Sequence, residues 1–106
     1  MPKYMTIASY TPEGIKGVMK DGGTGRRAAV EKAIGGMGGR VEGLYFAFGD
    51  DDVFVISEAP DNVSVAAISM AVGASGLVRA RTIVLLTPEE IDAAVKKTVA
   101  YKGPGQ

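Results

Sequence analysis

The sequence predicts one α+β domain over residues 1–106, with its elements in the order β-α-β-β-α-β-α. Three observations carry that order. Four runs rich in β-branched and aromatic residues begin at Met1, Arg40, Val53 and Leu77. Segments with apolar residues at helical spacing lie between and after them, and two of these open on the same Thr-Pro-Glu start. The 15 glycines are about twice as frequent as the usual 7% or so. They cluster at Gly22–Gly25 and Gly35–Gly39, where they punctuate elements rather than form a flexible linker.

Met1 to Tyr10 reads as the first strand, closed by Thr11-Pro12-Glu13. There Thr11 suits an N-cap, Pro12 the first helical position, and Glu13 the positive end of the helix dipole. A short helix through Ile15, Val18 and Met19 is expected to break at Asp21-Gly22-Gly23. Thr24 then caps a longer helix with Val30, Ala33, Ile34 and Met37 at i, i+3, i+4 and i+7, ended by Gly38-Gly39. Arg40 to Phe48 is the second strand and Val53 to Ser57 the third. Pro60-Asp61-Asn62 opens a helix with Val63, Ala66, Ala67, Met70 and Ala71 on one stripe, ended by Gly73 and Gly76. Leu77 to Leu86 is the fourth strand, and Thr87-Pro88-Glu89-Glu90 is a capping box opening a last helix. Lys102 to Gln106 is a loose tail. This is the ferredoxin-like βαββαβ unit with an extra C-terminal helix. Thr11–Lys20 and Thr87–Lys97 resemble each other, which fits a duplicated half-domain or, more simply, two helix starts obeying one capping chemistry.

Alternation in the strands says something about assembly. In the second strand Leu44, Phe46 and Phe48 face one way, and Val41, Gly43, Tyr45 and Ala47 the other. In the third, Phe54 and Ile56 oppose Val53 and Val55. Both faces are apolar, and one layer of helices covers only one. The second face calls for a partner, and a copy of the same chain is the simplest. A homodimer or higher homo-oligomer is expected.

Composition removes several chemistries. The chain has no histidine and no cysteine. That excludes a Ser-His-Asp triad, a Cys nucleophile, disulfides, thiolate zinc and histidine-ligated haem. Twelve basic and twelve acidic residues leave a formal net charge of +0, so no global field favours nucleic acid or an anionic membrane. No apolar run reaches the roughly 20 residues of a membrane span, and no signal peptide is evident at the N-terminus. A soluble cytoplasmic protein without metal or cofactor is the expectation.

Four stretches together are similar to the GYD-domain family: ASYTPEGIKG, GGTGRRAAVEK, YFAFGDDDVFVI and VLLTPEEIDAAVKKTVAY. The resemblance spans nearly the whole chain. In the family's naming motif a Gly, one variable residue and Tyr-Asp stand at the start of the third strand. Here Gly49-Asp50-Asp51-Asp52 stands there, with Asp51 in place of the tyrosine. The resemblance implies a bacterial protein related to the dimeric α/β barrels, and it implies no particular activity.

Candidate sites follow from the polar residues that interrupt this framework. Asp50 and Asp52 fall on one side of an extended chain. They suit a cation site, a carboxylate pair with one raised pKa, or the solvated tip of a hairpin, the reading favoured by Gly49 and Asp50. Asp52, next to the apolar strand, is the member expected to accept hydrogen bonds. Asp21 to Arg27 is glycine-rich and leads into a helix start beside Arg26 and Arg27, which suits a carboxylate or phosphate, though it lacks the Walker and GxGxxG patterns. Among Tyr4, Tyr10, Tyr45 and Tyr101, Tyr10 is best placed to line a cavity. Arg79 and Arg81 share one face of the fourth strand, where they guard an edge or meet an acidic ligand at a dimer seam. The leading expectation is a homo-oligomer that binds a small acidic or aromatic metabolite through Tyr10, Arg26 or Arg27, and Asp52. Two alternatives stand beside it. One is a cofactor-free oxygenase or isomerase, implied by the barrel relationship, with Asp52 or Tyr10 as the catalytic acid or base. The other is a purely structural assembly module.

Overall fold

The computed structural model describes residues 1–106. Its elements are β1 (Lys3–Tyr10), α1 (Pro12–Gly36), β2 (Arg40–Phe46), β3 (Val53–Glu58), α2 (Asn62–Ala74), β4 (Val78–Leu85) and α3 (Pro88–Val95). The four strands form one sheet in the order β2-β3-β1-β4, every neighbouring pair antiparallel. This is the expected ferredoxin-like α+β fold.

Both Thr-Pro-Glu segments start helices as their chemistry dictates. The Gly14 N–H donates to Thr11 Oγ1, and the Glu90 N–H to Thr87 Oγ1. The Thr87 N–H donates back to the Glu90 carboxylate at 3.0 Å, which completes the capping box. Shared capping is enough to account for the likeness of the two segments.

Four expectations need correction. The break foreseen at Asp21-Gly22-Gly23 is present within α1, at Gly22, whose φ of 75° and ψ of 169° are non-helical, but the cap expected after it is not. The helix resumes at Gly23, so Thr24 lies inside it and does not cap it. The second strand stops at Phe46 instead of Phe48, because Ala47 to Asp52 form the connection to β3. A β-bulge between Val41 and Gly43 shifts the register there. It puts Val41 opposite Ser57, on the same face as Leu44, where alternation alone would have separated them. In α2 the expected stripe points mainly outward: Val63 and Met70 are exposed, Ala71 alone of the five faces the sheet side, and Val65, Ile68 and Val72 turn inward. That helix is apolar nearly all round, so periodicity cannot choose its buried side.

The buried core is Ala8 of β1, Ile34 of α1, and Val53 and Val55 of β3, with Tyr10, Val30, Val41, Leu44, Ile68 and Val78 packed against it. Tyr4 lies on the same sheet face, and its hydroxyl donates to Asn62 Oδ1 of α2 at 2.6 Å. On the opposite face Met5 and Ile7 lie beside Ile56 and Phe54 of β3 and beside Ile83 and Arg81 of β4. The helices α1 and α2 are on the other side of the sheet, so no helix covers this second face, where Ile7 is buried between its neighbours, Met5, Phe54 and Ile56 are part-exposed and Ile83 is exposed.

The last element stands apart. Every residue from Pro88 to Lys102 is exposed, and α3 packs closely on no other element. The chain measures 56 × 33 × 23 Å, with a radius of gyration of 16.9 Å. A compact domain of this length has about 13 Å.

Candidate functional site

A cavity of about 400 Å³ lies between the helix-covered face of the sheet, α1 and α2. Its floor is Thr6, Ala8, Val53 and Val55, and its walls include Val30 and Ile68, so it is mainly apolar. Such a volume and lining are usual for a small-molecule site. A few polar groups reach it: Tyr10, Asp21, Arg26, Thr6 and Ser75. The break at Gly22 falls between Asp21 and Arg26, both of which line the cavity. Gly25 fits this bend closely, since a Cβ there would lie 3.2 Å from the Asp21 Cβ.

Arg26 Nε is buried and has no hydrogen-bond partner within the chain. A guanidinium N–H withdrawn from water and left unpaired is costly, and a carboxylate or another anion is its natural complement. The cavity therefore joins an apolar body to one unmet cationic donor.

The expected site residues separate in the fold. Tyr10 and Arg26 both line the cavity. Arg27, one residue on, points to solvent 3.9 Å from Glu31 on the same helix and does not line it. Asp52 is also outside the lining. Its Oδ2 accepts the Tyr10 N–H at 2.8 Å, where β1 leaves the sheet, while its own N–H donates to the Ala8 carbonyl at 2.8 Å. Asp52 thus extends the β1–β3 ladder by one side-chain bond. Asp50 gives its carbonyl to the Ser9 hydroxyl at 2.6 Å, and Asp51 faces Arg81 at 3.9 Å on the open face. With Gly49 at a φ of 104°, the trio is the tip of the β2–β3 hairpin. No group of three or more carboxylates gathers into a cation site.

The glycine-rich stretch from Asp21 to Arg27 is a kink inside α1 at Gly22 and not an extended loop. Of the other tyrosines, Tyr4 is buried, while Tyr45 and Tyr101 are exposed. Asp21, Thr6 and Ser75 were not foreseen as lining. Asp21 was within reach of sequence reasoning, since it opens the stretch that supplies Arg26.

A second charged group sits at the far end of the sheet. Glu58 accepts from Arg40 Nε at 2.7 Å and from Lys3 Nζ at 2.9 Å, and Lys3 also bonds Glu42. The bonds from Arg40 first and Lys3 second hold the Glu58 carboxyl down at about 2. Lys3 is raised in turn, chiefly by Glu42 and then by Glu58. The bulge makes this network possible by presenting Glu42 beside Lys3. It pins β2 to β3 and β1.

The family model described as GYD domain matches residues 4–95. No curated protein matches the chain. No helix is long and apolar enough to cross a membrane.

Proposed function

Because this chain belongs to the GYD-domain family, which fixes a fold and leaves the ligand open, we propose that its function rests in its own cavity. The protein is a homodimeric binder of a small apolar metabolite bearing a carboxylate or comparable anion. The aromatic or aliphatic body fills the space over Ala8, Val53 and Val55, and the anionic group pairs with Arg26. Tyr10 at the rim offers a phenolic hydroxyl. The observation that carries this reading is the buried, unpartnered Arg26 Nε beside an apolar cavity of about 400 Å³. Asp52 is bonded to the Tyr10 backbone and lies outside that cavity, which weighs for binding over acid–base catalysis by this carboxylate.

The open sheet face and the shape of the chain support the dimer. The protein exposes 7494 Å², against about 5,600 Å² for a compact monomer of its mass. The surplus of about 1,900 Å² is on the scale that obligate homodimers bury, roughly 1,000 Å² or more per partner. Face-to-face packing of two sheets is the arrangement that hides Met5, Phe54, Ile56 and Ile83 together.

Native mass spectrometry of protein from its own host, with 8-anilinonaphthalene-1-sulfonate as an in vitro probe, tests the ligand. The expected result is a retained small anion and saturable probe binding that Arg26→Gln weakens about tenfold, while Arg27→Gln leaves it unchanged. Equal binding by wild type and Arg26→Gln contradicts the reading.

A further inference from the structure

The surface carries two exposed apolar patches, one bordered by lysines and the other by aspartates. One is the arm from Thr87 to Gln106. Ile91, Val95 and Val99 are spaced four apart, and all are exposed, the last two at 79% and 78%. An eight-residue helix with nothing against it is marginal in water, so α3 requires a surface to lie on. Glu89, Glu90 and Asp92 at its start balance Lys96, Lys97 and Lys102, so the arm's basic part is its C-terminal half, which holds no acidic side chain after Asp92. The other patch is the β2–β3 hairpin. Phe48 is fully exposed, Tyr45 is 70% exposed and Phe46 44%. Asp50, Asp51 and Asp52 follow directly, and no basic residue lies between Arg40 and Arg79.

These patches lie at opposite corners of one sheet. The arm leaves β4 at Leu85, which pairs with Lys3 at the start of β1. The hairpin bonds to Ala8, Ser9 and Tyr10 at the other end of β1, and β2 and β4 are opposite edges. Each protomer therefore holds an apolar arm whose C-terminal half is basic and an acidic aromatic hairpin, and the two do not meet.

We propose that the arm of each protomer docks on the β2–β3 hairpin of a second copy, with Val95 and Val99 against Phe46 and Phe48 and the arm lysines beside Asp50 and Asp51. A two-fold axis makes this exchange twice, which is the self-complementarity an isologous dimer needs. The surplus exposed area of about 1,900 Å² accommodates both halves of the exchange on each chain. On this reading the aspartate trio serves assembly as well as the turn. The inference rests on the dimer proposed above and adds what its arms do.

The test refolds ¹⁴N and ¹⁵N protein together, cross-links amines to carboxylates at zero length with a carbodiimide, and measures association by sedimentation equilibrium. The expected products join Lys96, Lys97 or Lys102 to Asp50 or Asp51, and about half of them are of mixed isotope. Phe48→Ser, at a position with no packing to lose within the chain, is expected to raise the dimer dissociation constant about tenfold or more. Val95→Ser on the arm is expected to act in the same direction. A dimer whose arm links are unmixed, or omit the hairpin, or that is indifferent to Phe48→Ser, overturns the exchange and leaves the dimer standing. A monomeric wild-type protein overturns both.

Discussion

At the scale of single residues, the aspartate trio divides by what each carboxylate touches. Asp50 and Asp51 are exposed or half-exposed at the tip, with one ion pair at 3.9 Å between them and the rest of the chain. Asp50→Asn and Asp51→Asn should each shift stability by no more than about 0.5 kcal/mol, as surface changes usually do. Asp52→Ala leaves the Tyr10 N–H without its acceptor and should cost about 1–3 kcal/mol. Denaturant titration of the three variants checks this, and three equal, near-zero effects would contradict it. Glu58 makes a separate prediction. Its folded pKa of about 2 lies below the ordinary 4.5. Its ion pairs therefore stabilise fully above pH 4.5 and lose that contribution as pH falls from there towards 2. The gap in unfolding midpoint between wild type and Glu58→Gln should narrow across that window. A gap constant from pH 6 to pH 2 would show that Arg40 and Lys3 do not hold this carboxylate in solution.

At the scale of elements, glycines in α1 answer to different neighbours. A Cβ on Gly14 would fall 2.0 Å from the Leu77 carbonyl oxygen, which belongs to the turn after α2. Thr11 donates to that same carbonyl through its N–H at 3.0 Å. The start of α1 is thus clamped to the α2–β4 turn at a distance only glycine permits. Gly14→Ala is expected to cost about 2 kcal/mol or more by overpacking. Gly35 has open space around it, so Gly35→Ala should stabilise α1 by about 0.5–1 kcal/mol through helix propensity. Thermal unfolding of the pair gives the two signs, and a stabilised Gly14→Ala protein would refute the clamp. Capping made the starts of α1 and α3 legible in the sequence, because a cap is a local event among four residues. The inward-facing, part-buried stripe of α2 was not legible. Its apolar residues surround the helix, and only the sheet and α1 select Ile68 and Val72.

At the scale of the whole molecule, the open sheet face and the arm make one statement about association. Only 9 of 106 residues are buried in the single chain, which supports the proposed association. We expect no folded monomer at micromolar concentration, and unfolding midpoints that rise with protein concentration. Sedimentation equilibrium that fits a stable species of 11.0 kDa would rule this out.

The succession of elements, the Thr-Pro-Glu caps, the hairpin at Gly49 and the apolar character of both sheet faces could be read from the chain, since each depends on residues within a few positions of one another. The absence of histidine and cysteine bounded the chemistry in the same direct way. The cavity could not be read so, because its floor, walls and Arg26 come from β1, β3, α1 and α2 and meet only when the sheet closes. Nor could the parting of Arg26 from Arg27, neighbours in sequence that helical geometry sends to the cavity lining and to solvent. The bulge at Glu42 and the ladder bond of Asp52 were decided by strand register, which is set by pairing partners and not by the strand itself.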